Sequence, residues 1–143
     1  MNDRIVVDTS AIIAVVFGED DAEEFADRLD AHAGRIAISE VTRFEIRAVV
    51  DAQRGVAGVA RLDALLSELD VTWVDVDDQI TTAAIAAWQT FGKGRHPARL
   101  NLGDCFSYAL STHLGAPLLF KGDAFAQTDV EAVMRPDEDE SSK

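Results

Sequence analysis

Short β-rich runs alternate along this chain with longer stretches of helical spacing, and that alternation limits the folds open to it. Arg4–Asp8, Arg35–Ile38, Thr72–Val76 and Pro117–Phe120 read as strands, and Thr128–Val130 offers a short fifth. Helices fill the intervals. Asp8-Thr9-Ser10 is capping chemistry ahead of the apolar run Ala11–Phe17, and Asp20, Asp21, Glu23 and Glu24 open an amphipathic helix with Phe25 and Leu29 on one face. Ser39 can cap a helix running through Val41, Phe44, Ala48 and Val49 to about Gly55, after which Val59, Leu62, Leu65, Leu66 and Leu69 keep helical spacing. Asp77 or Asp78 starts a further helix to about Phe91, and Asn101 or Gly103 starts the last, which stops at Gly115. Strands that alternate with helices imply a parallel sheet covered on both faces by right-handed crossovers. The expected fold is therefore a three-layer α/β/α domain with a central, mainly parallel sheet of four to five strands.

At 143 residues the chain suits one domain, placed here at residues 1–135, with 136–143 (PDEDESSK) as an acidic, solvated tail. The longest apolar run, Ala11–Phe17, is far short of the roughly 20 residues a membrane span needs. Asp3 and Asp8 stand where a secretory signal would be basic and then apolar, so the expected location is the cytoplasm. The single cysteine, Cys105, fits a reducing compartment. A net charge of −13 argues against loose, charge-driven binding to nucleic acid, so a polyanionic substrate would need a local basic patch or bound divalent cations.

In doubly wound sheets ligands sit beyond the carboxyl ends of the strands. Asp8 stands there after the first strand, where it could equally cap a helix, and Asp123 occupies the matching place after the fourth, where it could be a turn residue. Glu45 shares a helical face with Val41, Thr42, Ala48 and Val49, and a carboxylate on an apolar stripe needs a cation or an arginine such as Arg43 or Arg47. Asp104 follows Asn101 by three residues, the spacing of a capping box, at the mouth of a partly apolar face. Two carboxylates about 4 Å apart repel by roughly 4 kcal/mol at an effective dielectric of about 20, so convergence of these acids would call for Mg²⁺ or Mn²⁺. No His/Cys cluster has zinc spacing.

At these residues the chain resembles the PIN-domain ribonucleases, and within them the VapC-type toxins of type II toxin–antitoxin systems. The matching segments are IVVDTSAI (5–12), SEVTRFE (39–45) leading into IRAVV (46–50), FGKGRH (91–96), LGDCFSYA (102–109) and PLLFKGD (117–123), with Phe125 and Thr128–Val130 beyond. The resemblance implies a metal site of Asp8, Glu45, Asp104 and Asp123, supported by Thr9 or Ser10. It also implies an obligate or common homodimer and inhibition by a small antitoxin. A second hypothesis is that the apolar surface of the early helices binds that antitoxin, whose arginine or C-terminal segment enters the acidic site. Many relatives carry two adjacent polar or acidic residues after the glycine, whereas Ala124 follows Asp123 here and leaves Asp123 alone at that corner. The implied activity is metal-dependent endoribonuclease cleavage, with water made more acidic by the ion attacking the phosphodiester to leave a 5′-phosphate and a 3′-hydroxyl.

Lys93, Arg95, His96 and Arg99 form a cationic loop just before Asp104, and Lys93, Arg95 and Arg99 are expected to position the RNA backbone. The bland alternative is a solvated, mobile loop. A receiver-like, Mg²⁺-binding signalling domain is a rival use of this fold, but it would want paired acids after the first strand, where Thr9 and Ser10 follow Asp8. Cys105 reads as a buried structural cysteine rather than a nucleophile, and Trp73, Trp88 and the phenylalanines read as packing residues.

Overall fold

A computed structural model describes residues 3–134; the acidic tail expected at 136–143 lies outside the described residues. Four strands, β1 (Ile5–Val7), β2 (Ile36–Ser39), β3 (Thr72–Val74) and β4 (Leu118–Leu119), form one parallel sheet in the order β3-β2-β1-β4. The helices are α1 (Thr9–Val16), α2 (Ala22–Ala31), α3 (Glu40–Leu69), α4 (Asp78–Phe91) and α5 (Leu102–Leu114), with a 3₁₀ turn at Phe125–Gln127. β1, β2 and β4 are buried on both faces, because helices cover both sides, whereas β3 at the edge is only partly covered and exposes Thr72. Ile5, Val7, Ile36, Ile38 and Leu119 pack with α1, α2 and α3, whereas Val6, Ala37, Leu118 and Phe120 pack with α4 and α5. The two-residue period of the strands thus sorts their side chains into two cores.

The capping residues read from sequence act as such. Asp8, Ser39, Asp77 and Asn101 cap α1, α3, α4 and α5, each accepting a hydrogen bond from a backbone N–H of the first turn. The expected break near Gly55 is present: Gly55 has φ 61° and ψ −153°, a backbone state that favours glycine, so α3 runs as two helical segments.

Three expectations need correction. Thr128–Val130 is not a strand; Thr128 closes the 3₁₀ turn, and the fifth pairing is a single parallel bridge from Ala132 to Leu118. Phe44 is 76% exposed, because the buried stripe of this segment is Thr42, Ile46 and Val50, one register away from that of Phe44. Trp88 is 42% exposed and forms an apolar surface with Ile85, Leu102 and Phe106 instead of entering the core. Among the described residues no helix is long and apolar enough to cross a membrane.

Because β1 lies between β2 and β4, the chain winds one way from β1 through β3 and then returns to the other side. The topological switch point is therefore between β1 and β4. Asp8 follows one of these strands and Lys121 the other. The bond from Lys121 N to Ser10 Oγ, 2.9 Å, ties the two strand ends together.

Candidate active site

Asp8 is 3% exposed, and its carboxylate is gripped by neutral donors. Ser10 gives its backbone N–H (3.0 Å) and its hydroxyl (2.7 Å) to Oδ2, while Ser107 Oγ donates to Oδ1 at 2.6 Å. Capping and site-building are one geometry here, since the bond that starts α1 also fixes the acid at the mouth of the switch point.

Glu45, on the first segment of α3, accepts from Thr9 Oγ1 at 2.6 Å. The arginine alternatives do not hold: Arg43 pairs with Glu40 at 3.3 Å and stacks on Trp73, and Arg47 lines a separate cleft with Asp63 and Asp70. Burial raises the carboxyl pKa of Glu45, the Thr9 hydrogen bond lowers it and the charge of Asp8 raises it. Glu45 also lies hard against the first turn of α5. A Cβ on Gly103 would stand 2.6 Å from Glu45 Cδ, so the Glu45 carboxylate can keep this place only while residue 103 has no side chain.

Asp104 closes the capping box of α5: Asn101 Oδ1 accepts from Asp104 N at 2.9 Å, and Asp104 Oδ2 accepts from Asn101 N at 3.0 Å. Its pKa is raised from 3.8 to about 6, chiefly by burial, with the charges of Asp8 and Glu45 adding to the rise and the Asn101 bond opposing it. Asp8, Glu45 and Asp104 thus form one electrostatic unit, drawn from the end of β1, the second turn of α3 and the first turn of α5. Asp123 is exposed on the loop after β4, and the charges that act on Asp104 and Glu45 do not include it.

Ser107, Gly103 and Thr42 were not singled out by sequence reasoning. The available signal was helical spacing: Ser107 lies three residues after Asp104 on the same face of α5, and Gly103 is the small residue beside the acid. Lys121, whose backbone bridges to Ser10, turns its ammonium to Glu19 (2.7 Å) and Asp21 (3.0 Å). Cys105 is buried and its thiol is pushed up to about 11, first by burial and then by Asp104, which leaves it no thiolate character near neutral pH.

The donor set suits a hard divalent cation. It consists of oxygens, its hydrogen-bond partners Ser10, Ser107, Thr9 and Asn101 are neutral, and the charges of Asp8 and Glu45 add to the burial that raises the pKa of Asp104. Among the described residues no three His, Cys, Asp or Glu side chains close directly on one point. Mg²⁺ typically takes only one or two carboxylates and keeps its waters, so the open arrangement fits such an ion.

The cationic loop is built rather than loose. Lys93 N donates to Leu100 O and Leu100 N to Phe91 O, both at 2.9 Å, and Ala98 and Leu100 are buried beneath it. Ala98 N donates to His96 Nδ1, and the His96 ring meets Phe91 edge-on. The side chains of Lys93, Arg95 and Arg99 remain exposed along a shallow cleft of about 460 Å³, with Arg95 stacked over Trp88 at 4.2 Å.

These features define a small doubly wound domain with a cluster of acids at its switch point. The family model of the PIN domain matches residues 5–131, and the chain belongs to that family, with VapC ribonucleases among its relatives. Ribonuclease VapC30 of Mycobacterium tuberculosis (strain ATCC 25618 / H37Rv) is 43% identical over 132 residues, 92% of this chain and 100% of that protein. Among solved structures, the Mycobacterium tuberculosis toxin VapC20, described as cleaving the sarcin–ricin loop, has a TM-score of 0.70 at 19% identity, covering 90% of this chain and 98% of that one. A toxin–antitoxin complex from Klebsiella pneumoniae has a TM-score of 0.64 at 17% identity, covering 87% and 92%. Family membership, together with a Lys121 ammonium turned to Glu19 and Asp21, sets aside the receiver-like reading.

Proposed function

We propose that the chain is an endoribonuclease dependent on Mg²⁺ or Mn²⁺, and the toxin of a toxin–antitoxin pair. The observation that carries this reading is the gathering of Asp8, Glu45 and Asp104 at the switch point with only neutral hydrogen-bond partners. Asp123 is the proposed outer member of the set, since its place after β4 mirrors that of Asp8 after β1.

The chemistry supplied by a divalent ion held there is acidification of water and neutralisation of charge on the phosphoryl oxygens. The chain's own residues do the rest. Ser10 and Ser107 hold Asp8, Thr9 orients Glu45, and Asp104 keeps Oδ1 clear of its capping bond to accept an ion or a proton. Lys93, Arg95 and Arg99 would grip the RNA backbone, giving an acidic protein the local cations that its net charge of −13 denies it elsewhere. No covalent nucleophile enters this scheme.

The relatives named as ribonucleases support RNA as substrate, and the similarity to a toxin–antitoxin complex supports a small antitoxin. Phe44 and Val56, 76% and 88% exposed on α3, are apolar surface open to it, and the Ile85, Trp88 and Leu102 surface is open to a second copy in the proposed homodimer. The test is incubation of the purified chain with structured RNA, with and without Mg²⁺. Wild type should cut only with the ion and Asp8→Asn should not cut; identical behaviour of the two proteins defeats the assignment.

A further inference from the structure

Asp8 is reached by a file of buried hydroxyls that the carboxylate cluster does not itself explain. Ser39 Oγ donates to Thr42 Oγ1 at 3.1 Å, Thr42 Oγ1 lies 3.4 Å from Ser107 Oγ, and Ser107 Oγ donates to Asp8 Oδ1 at 2.6 Å. Ser39, Thr42 and Ser107 are each 1% exposed. A hydroxyl has one proton to give. Ser107 spends its proton on Asp8, so the contact with Thr42 leaves Ser107 as acceptor and Thr42 as donor. Thr42 has then given its proton forward, and it receives that of Ser39. Every O–H in the file points toward Asp8, and such chains polarise cooperatively in a low-dielectric interior.

This direction matters for what Asp8 can offer. An ionised carboxylate presents about four acceptor sites, two on each oxygen. On Asp8, Ser10 fills both sites of Oδ2 through its N–H and its hydroxyl, and Ser107 fills one on Oδ1. One site remains, on Oδ1. That limits Asp8 to a single bond to a cation, the mode that suits Mg²⁺ or Mn²⁺ better than the two-oxygen grip common for Ca²⁺. Plain packing would not need a serine at 107, since Cys105, Ala109 and Leu110 around it on α5 are buried apolar residues.

We infer that Ser107 is the positioning residue of the metal site: oriented by Thr42, it holds Asp8 Oδ1 and leaves one acceptor site of that oxygen that an ion would take. The inference rests on the carboxylate reading above and deepens it. Outer partners of metal ligands are commonly worth 10–100-fold in metal affinity.

The experiment is Mn²⁺ titration of the full chain, followed by the loss of free-ion electron paramagnetic resonance signal, with thermal melting of the ion-free proteins alongside. Ser107→Ala should weaken Mn²⁺ about tenfold. Thr42→Val, which keeps the shape and never touches Asp8, should weaken it in the same direction by a smaller factor. Ser107→Thr, which restores a hydroxyl, should recover most of the affinity. A merely structural role would lower the melting temperature and leave the Mn²⁺ affinity of the folded protein unchanged, and that result overturns the inference. Asp8→Asn keeps the two outcomes apart: if it binds Mn²⁺ as wild type does, the carboxylate site itself is wrong, whereas a defect in Asp8→Asn with none in Ser107→Ala removes only Ser107.

Discussion

The carboxylate of Glu45 occupies the space that a side chain at residue 103 would need. A Cβ there would meet Glu45 Cδ at 2.6 Å, and Gly103 is itself buried in the first turn of α5. Gly103→Ala is therefore expected to push the Glu45 carboxylate out of its place at little cost in stability, because every atom the new methyl would meet lies at the free end of the Glu45 side chain. RNA cleavage should fall sharply while the fold holds, because Glu45 loses its place beside Asp8 and its bond from Thr9. Urea melts of wild type and Gly103→Ala check the first statement and a cleavage assay the second; unchanged cleavage would show that the position of Glu45 does not matter to the site.

Asp104 links this corner to pH. Its folded pKa of about 6 lies above the ordinary 3.8, so the proton is bound more tightly in the folded than in the unfolded chain. Stability from that proton is complete below about 3.8 and is lost as pH rises to about 6, so at neutral pH the ion-free protein carries an ionised carboxylate that is disfavoured chiefly by its burial, with the charges of Asp8 and Glu45 adding to the cost. Asp104→Asn should raise the melting temperature of the ion-free protein at pH 7 by about 3 °C and change it little at pH 4. At sub-saturating Mg²⁺, cleavage by wild type should fall as pH drops below about 6, because the proton then competes with the ion for Asp104. A melting temperature unchanged by the substitution at pH 7 would contradict the coupling.

Cys105 stands next to Asp104 and yet has no chemical part. With its thiol pushed up to about 11 and its side chain buried, it should resist alkylation by iodoacetamide in the native protein at pH 7.5 and react once the chain is unfolded in urea. Cys105→Ala should retain RNA cleavage within about twofold, at a modest cost in packing. Rapid native alkylation accompanied by loss of cleavage would return the thiol to consideration.

Much of this was legible in the sequence because it depends on local rules. The caps at Asp8, Ser39, Asp77 and Asn101 follow from residue type and spacing, and the αβ alternation leads to a parallel sheet by handedness alone. Glu45 was visible as a carboxylate beside an apolar stripe. What was not legible depends on distant pairs: the Ser107 bond to Asp8 joins residues 99 positions apart, and the contact between Gly103 and Glu45 depends on how closely two helices pack. Phe44 and Trp88 were misplaced for a related reason. Helical spacing identifies an apolar face, but an apolar face can be left for a partner as readily as buried in the core.

The cationic loop makes the last prediction, because its backbone and its side chains serve different ends. The bonds between Lys93 and Leu100 and between Leu100 and Phe91 hold the turn, and Arg99 sits at φ 56°, a left-handed state rarely adopted by a residue with a side chain. Such strain persists only when surrounding structure enforces it, here the buried Ala98 and Leu100 on either side. The guanidinium groups are left outside, and Arg95 is steadied by its stack on Trp88. Arg95→Ala/Arg99→Ala should leave the fold intact and weaken RNA binding across sequences, since phosphate contacts carry no sequence information. Each phosphate contact to single-stranded RNA adds roughly 0.7 to the slope of log affinity against log salt, so losing two should flatten that slope by about 1.4. Filter binding at several salt concentrations measures it. An unchanged slope would place the RNA elsewhere, whereas a flattened slope with cleavage intact at saturating RNA would separate the loop's task of holding the backbone from the carboxylates' task of cutting it.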